Sequence, residues 1–231
     1  QRRLFMPSTG DNYTNDGTNI CRIDINADSM LDTAQSYLMF NFRNDSADNI
    51  ILDSGQPLIS RIRIESGGVV LEDIQNYNHL VGGILTPANA GVSNLQQNKL
   101  QRTLASLSSD NSARTCGVGT LTYGTNVAGT ESNGGSAISQ NVNQTQCYKL
   151  HTALLDNEKY LPLVLMNAGL TIEIEWDTSG SIGVVNGATA VDWSISGVRY
   201  VSHLVDLDRS FYDRLRMVQQ NSGGVLQIAG Q

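Results

Sequence analysis

The chain is short of charge. Asp, Glu, Lys and Arg make up 16% of its 231 residues, where globular domains usually carry about a quarter. What charge there is sums to −7, with a pI near 4.8, which argues against a nucleic-acid-binding surface. Arg2-Arg3 is the sole basic cluster at a terminus and is too short to act as an arm. Cysteine is scarce too: Cys21, Cys116 and Cys147 show no CxxC or CxxH spacing, so no zinc site is expected. Cys116 and Cys147 bracket a Gly/Ser/Asn-rich stretch that a disulfide would staple; ordinary thiols are the other reading. No run of 18 apolar residues exists, and no signal-peptide pattern opens the chain, so membrane insertion is not expected. In place of charge come Asn, Ser, Thr and Gly, with 22 glycines against 4 prolines. Such a surface suits β-structure with long loops, or surfaces packed against other proteins.

The stretch Pro57 to Leu85 organises the rest. Leu58, Ser60, Ile62 and Ile64 alternate with Ile59, Arg61, Arg63 and Glu65, the period of a half-buried strand. Ser66-Gly67-Gly68 then permits a tight turn. From Glu72 the spacing of Ile74, Tyr77, Val81 and Ile84 predicts a short helix, with Glu72 and Asp73 in its first turn.

Residues 1–19 read as an N-terminal loop or arm, and residues 20–207 as one antiparallel β-sandwich domain. Its strands include Cys21 to Ile25, Ser36 to Arg43, Asn49 to Leu52, Leu170 to Trp176 and Val191 to Val205, with a bulge at Gly197. The cleanest alternation is Leu170, Ile172, Ile174 and Trp176 inward against Thr171, Glu173 and Glu175 outward. Ser93 to Leu107 reads as helical, and residues 108–145 as a long inserted loop. Asp156 is placed as the cap of a short apolar turn through Leu161, Leu163 and Met166, and Gly183 to Ala190 as a small loop. Residues 208–231 give a helix capped by Asp208, with Phe211, Leu215 and Val218 on its buried face and Gly223-Gly224 at its end. A new strand is expected at Val225 to Ile228, so the chain reads as a piece of something longer.

No catalytic, cofactor-binding or metal-binding set emerges, and no enzyme is expected. Glu173 and Glu175 share a strand face, but nothing supplies the apolar pocket that would split their pKa values. His151 is five residues from Asp156, yet no GxSxG elbow accompanies it. His79, His151 and His203 form no HxH or HExxH ligand pattern. The glycine-rich stretches lack the lysine of a phosphate loop. Sequons at Asn12, Asn44 and Asn143 are weak signals in a chain so rich in Asn, Ser and Thr.

Short strands, two inserted helices and frequent turns describe an all-β, antiparallel jelly-roll β-sandwich. The segments ISRIRIESGGVVLEDIQNYNHL, KYLPLVLMNAGLTIEIEW and VRYVSHLVDLDRSFYDRL resemble the first jelly roll of the double jelly-roll major capsid proteins, over residues 58 to 215. That family takes in the adenovirus hexon and capsid proteins of large algal DNA viruses, polinton-like elements, virophages and membrane-containing phages. Its Leu-Pro-Leu turn before an alternating strand is matched by Leu161-Pro162-Leu163 and Ile172 to Glu175. The resemblance implies a structural capsid protein of the virion, with two tandem jelly rolls, forming homotrimers of pseudo-hexagonal outline that tile an icosahedral shell. It implies neighbouring capsomers and minor capsid proteins as partners. On this reading the helix from Asp208 is the linker and Val225 to Ile228 the first strand of a second roll. A complete single-roll capsid protein is one alternative, and a carbohydrate- or receptor-binding sandwich of lectin or fibre type is another.

Overall fold

The computed structural model describes residues 1–17, 19–47, 50–52, 55–85, 138–166, 168–178, 183–185 and 192–223. Twelve strands are assigned: β1 (Arg2–Phe5), β2 (Tyr13–Thr14), β3 (Ile20–Ile25), β4 (Met30–Asn44), β5 (Ile50–Leu52), β6 (Ile59–Ser66), β7 (Val69–Gln75), β8 (Asn143–Tyr148), β9 (Leu161–Pro162), β10 (Leu170–Trp176), β11 (Gly183–Val185) and β12 (Trp193–Val205). Two short helices join them, α1 (Tyr77–Leu80) and α2 (Arg209–Asn221).

The strands form two facing antiparallel sheets. One runs β1-β12-β4-β8, with β2 on β12 and β9 on β4; the other runs β3-β10-β6-β7. A small pair, β11-β5, stands beside them. The chain passes back and forth between the two large sheets, β3 to β4, β4 by way of β5 to β6, β7 to β8, β9 to β10 and β10 by way of β11 to β12. That repeated crossing gives the antiparallel sandwich its jelly-roll character.

Alternation explains the core. Strand β10 is central in its sheet, paired with β3 on one side and β6 on the other. Leu170, Ile172, Ile174 and Trp176 are buried while the residues between them are partly exposed, as their period of two requires. Facing them across the sandwich are Leu38, Phe40 and Phe42 of β4 and Trp193, Ile195 and Tyr200 of β12. Phe40 lies at the centre, its ring 5.1 Å from both Tyr148 and Trp176 in edge-on geometry. Each such fully buried side chain contributes about 1.5–3 kcal/mol of transfer free energy.

Several sequence expectations are corrected. Val69 to Gln75 is a strand, not a helix: Gly67 and Gly68 have φ of 57° and 81°, and the turn they make returns the chain antiparallel along β6. Helix begins only at Tyr77 and passes at Val81–Leu85 into a wider π turn. On β6 both Leu58 and Ile59 are buried, because the register with β10 shifts there and leaves Ser60 as the extra residue. Its hydroxyl donates to the Glu175 carbonyl at 3.0 Å. Residues 1–19 are not a loop throughout, since β1 pairs with β12 and β2 adds to the same strand. Ile138 is buried and bridges Ile50, and β8 begins at Asn143, so the excursion ends earlier than its composition implied. Gly183–Val185 is strand rather than loop. Helix α2 starts after Asp208 as expected, but none of its residues is buried; Phe211 and Val218 are exposed and Leu215 is half-buried. The bulge at Gly197 is present, with φ of 63° and a register shift between Ser196 and Arg199. The helix expected over Ser93 to Leu107, Cys116, and the strand expected over Val225 to Ile228 lie outside the described residues.

Candidate functional site

The surfaces that distinguish this chain are the outer faces of its two sheets. On the four-stranded sheet the outward residues line up across the strands as Arg22, Glu173, Arg63 and Asp73. Opposite charges in register attract at strand spacing, and here they close into pairs. Arg22 reaches Glu173 at 2.6 Å, Arg63 reaches Glu65 at 2.6 Å, and Arg61 forks both carboxylate oxygens of Asp73 at 2.8 and 2.6 Å. The fork holds the Asp73 carboxyl below the usual carboxylate range. Asp24 accepts the Thr171 hydroxyl at 2.8 Å. Asp24 and Glu175 have no cationic partner within ion-pair distance among the described residues.

The six-stranded sheet has a different exterior. Its rows are Arg2, His203 and Asp32; Leu4, Val201 and Tyr37; then Arg199, Met39 and Cys147. Val201 is completely buried although it stands outside the core cluster, in the row of Leu4 and Tyr37. Arg2 stacks its guanidinium 5.7 Å over the Tyr37 ring and donates to the Tyr37 hydroxyl. Arg43 is held by Asp45 at 2.9 Å. Arg2 and Arg199 have no carboxylate partner among the described residues, and Arg199 Nε is buried without a hydrogen-bond acceptor. Burial raises the Cys147 thiol pKa, although the two arginines pull it the other way.

One end of the sandwich is closed by the loop after β8. Lys149 Nζ and His151 Nδ1 reach the two oxygens of Asp156 at 2.6 and 2.8 Å. Glu72 of β7 accepts the amides of Ala153 at 2.8 Å and Leu154 at 3.3 Å. The buried Tyr77 hydroxyl accepts the His151 amide at 2.8 Å and donates to Gln56 at 3.0 Å. Thr33 of the opposite sheet donates to the Asn157 carbonyl at 2.7 Å.

The structure thus brings His151 and Asp156 together, but with Lys149 and in a structural loop; Asp156 does not cap the turn at Leu161, where β9 and a 3-10 turn at Leu163–Leu165 stand instead. Glu173 and Glu175 share an outer face, with Glu173 tied to Arg22. His79 is exposed on α1 and His203 is half-buried on β12, far apart in the fold. Among the described residues no three His, Cys, Asp or Glu side chains gather as a metal site, and no helix is long and apolar enough to cross a membrane. Of the sequons, Asn44 is fully buried and donates to the Ile138 carbonyl at 2.8 Å, which removes it as a glycan acceptor; Asn12 and Asn143 are exposed. Cys21 is buried with its thiol pushed up to about 12 by burial.

Three exposed apolar features were not visible in the sequence pattern. The outermost strand of the four-stranded sheet, β7, shows Val69 (63% exposed), Val70 and Leu71 to solvent. Phe211, Met217 and Val218 are exposed on α2, and Leu4 and Met6 at the chain start.

By fold the chain is an antiparallel jelly-roll sandwich. It is similar in structure to the major capsid protein of mavirus, at 12% identity and a TM-score of 0.45, over 91% of this chain and 47% of that chain. It is similar also to PBCV-1 VP54 as fitted into a cryo-EM reconstruction of the virophage Sputnik, at 11% identity and a TM-score of 0.41, over 93% of this chain and 44% of that one. A chain of the PBCV-1 virus capsid matches at 11% identity and a TM-score of 0.40, with the same coverages of 93% and 44%. The chain spans less than half the length of each of these structures. No protein-family model matches the sequence, and neither does any curated protein.

Proposed function

We propose that this protein is a structural building block of a virion shell and acts by assembly. In this reading it forms trimers of pseudo-hexagonal outline that tile an icosahedral capsid beside neighbouring capsomers and minor capsid proteins. Residues 20–207 are one jelly roll, and α2 is the linking helix towards a second. The chain performs no catalysis.

The observation that carries the reading is the apolar edge strand β7. Val69, Val70 and Leu71 stand exposed in a row on a strand whose outer edge has no strand partner among the described residues. A bare apolar edge of this kind invites pairing with another chain, and soluble monomers ordinarily blunt it with charge, proline or a covering loop. The exposed stripe on α2 adds a second uncovered surface. The capsid-like segments quoted from the sequence fall on β6, β7, β9, β10, β12 and α2, successive parts of one architecture. Against the sugar-binding alternative, Trp176 and Trp193 are buried at 1% exposure, so neither offers a stacking platform.

Sedimentation velocity at micromolar concentration, followed by electron microscopy of the sedimenting species, tests the reading. The expected result is a trimer or a larger shell-like particle. A stable monomer, or saturable binding of a sugar in a discrete pocket, would overturn it.

A further inference from the structure

The two outer faces carry opposite surplus charge with matching spacing. On the outer face of the six-stranded sheet the arginines without a carboxylate partner among the described residues are Arg2, on outermost strand β1, and Arg199, on the adjacent β12. Arg2 lies opposite His203, four residues along β12 from Arg199. On the outer face of the four-stranded sheet the carboxylates without an ion-pair partner among the described residues are Asp24, on outermost strand β3, and Glu175, on the adjacent β10. Asp24 lies opposite Thr171, four residues along β10 from Glu175. Each pair is therefore separated by one strand across, about 4.8 Å, and four residues along, about 13 Å. Glu175 stands opposite Arg61, whose guanidinium is forked onto Asp73, so the four-stranded face keeps surplus negative charge. On the six-stranded face Asp32 in the Arg2 row only accepts the Gln35 amide, and two arginines against it leave surplus positive charge.

We infer that the outer face of the six-stranded sheet of one copy packs against the outer face of the four-stranded sheet of a second copy, with Arg2 and Arg199 opposed to Asp24 and Glu175. This rests on the assembly reading and names the contact within it. The occupant is a second copy because this chain itself bears the complementary pattern. Leu4 and Tyr37 of the middle row, with Met39 and Cys147 of the next, supply apolar area around the two arginines. Such a contact is heterologous, using two different patches on each copy, so repetition closes a ring or extends an open array.

The test uses the 231-residue chain and two double charge reversals, Arg2→Glu with Arg199→Glu and Asp24→Arg with Glu175→Arg. Each protein is examined by sedimentation velocity across a concentration series at low and high salt, with near-ultraviolet circular dichroism and Tm as folding controls. Each reversal alone is expected to weaken self-association at least tenfold, because like charges then meet across the contact. An equimolar mixture of the two is expected to recover association, since each restores opposite charge to the other. A misfolded variant would not be rescued by mixing. The milder Arg199→Gln should weaken association less and flatten its salt dependence. If the parent chain associates but neither reversal alters it, or if mixing restores nothing, the face-to-face contact is wrong while assembly stands. If reversing the arginines weakens association while reversing Asp24 and Glu175 leaves it unchanged, the four-stranded face is not the partner surface and the inference falls. A parent that stays monomeric at every concentration removes both this contact and the assembly reading.

Discussion

Glu72 of β7 accepts the backbone amide of Ala153 at 2.8 Å, joining the outermost strand of one sheet to the loop that follows the outermost strand of the other. The same carboxylate takes the Leu154 amide, so one side chain satisfies two donors that no strand or helix serves.

Replacing Glu72 by Ala should cost about 1–3 kcal/mol, the penalty for leaving partly buried donors unmet. Urea unfolding measures that loss. Hydrogen exchange at Ala153 and Leu154 should accelerate more than at Ile172. Uniform acceleration through the sheets would mean that Glu72 does not act through this loop.

Burial works against ionisation of Asp156, yet the hydrogen bonds from Lys149 and His151 outweigh it and hold its pKa below the ordinary carboxylate value. A depressed pKa stabilises the fold fully above the unfolded value of about 3.9 and loses that contribution as pH falls through the lower folded value. Asp156→Asn should therefore be less stable than the parent at neutral pH, with the gap closing in acid. Thermal melts across the acid range check this, and a gap that stays constant contradicts it.

Ile174 is fully buried at the centre of β10. Ile174→Asp should abolish cooperative folding, because an unpaired buried carboxylate costs several kcal/mol. Ile174→Val should fold and lose about 0.5–1.5 kcal/mol. A cooperatively melting, soluble aspartate variant would take this strand out of the core.

Gly169 has φ of 65°, and a Cβ there would lie 1.7 Å from Asn26 Oδ1 and 2.8 Å from the Ile25 carbonyl oxygen. Gly68 also has positive φ but meets nothing within 4 Å. Gly169→Ala should thus lower Tm well beyond Gly68→Ala, which carries only the backbone strain of about 1–2 kcal/mol. Equal effects would show that Asn26 swings aside at no cost.

The strands with two unlike faces were legible in the sequence. Leu170 to Trp176 buries alternate residues because one side meets Phe40 and its neighbours and the other meets solvent and arginine. Strand β7 was misread for a definite reason: Ile74, Tyr77, Val81 and Ile84 keep helical spacing, but the pairing of Ile74 with Ile62 decides the conformation, and pairing leaves no mark on β7 alone. Strand β1 is four residues long, and its partner lies some two hundred residues away, so no local pattern announces it. The amphipathic pattern of α2 was read correctly as a helix and wrongly as buried, since periodicity reports a face and not what covers it. The surplus charges on the two outer faces depend on register. Arg199 could not be recognised as unmatched until its cross-strand neighbour, Met39, was known.

The pairing of Arg2 with His203 also has a consequence for how the protein is made. During synthesis β1 leaves the ribosome well before β12, and it has no partner to dock on until β12 follows. Strand β4 must wait similarly for its neighbour in register, Arg199 beside Met39. Contacts so distant in sequence are slow to form, and the early strands spend synthesis with their apolar faces bare. Completion of the six-stranded sheet therefore waits for β12 to leave the ribosome, and a nascent chain halted before β12 should be a client of chaperones rather than a folded intermediate.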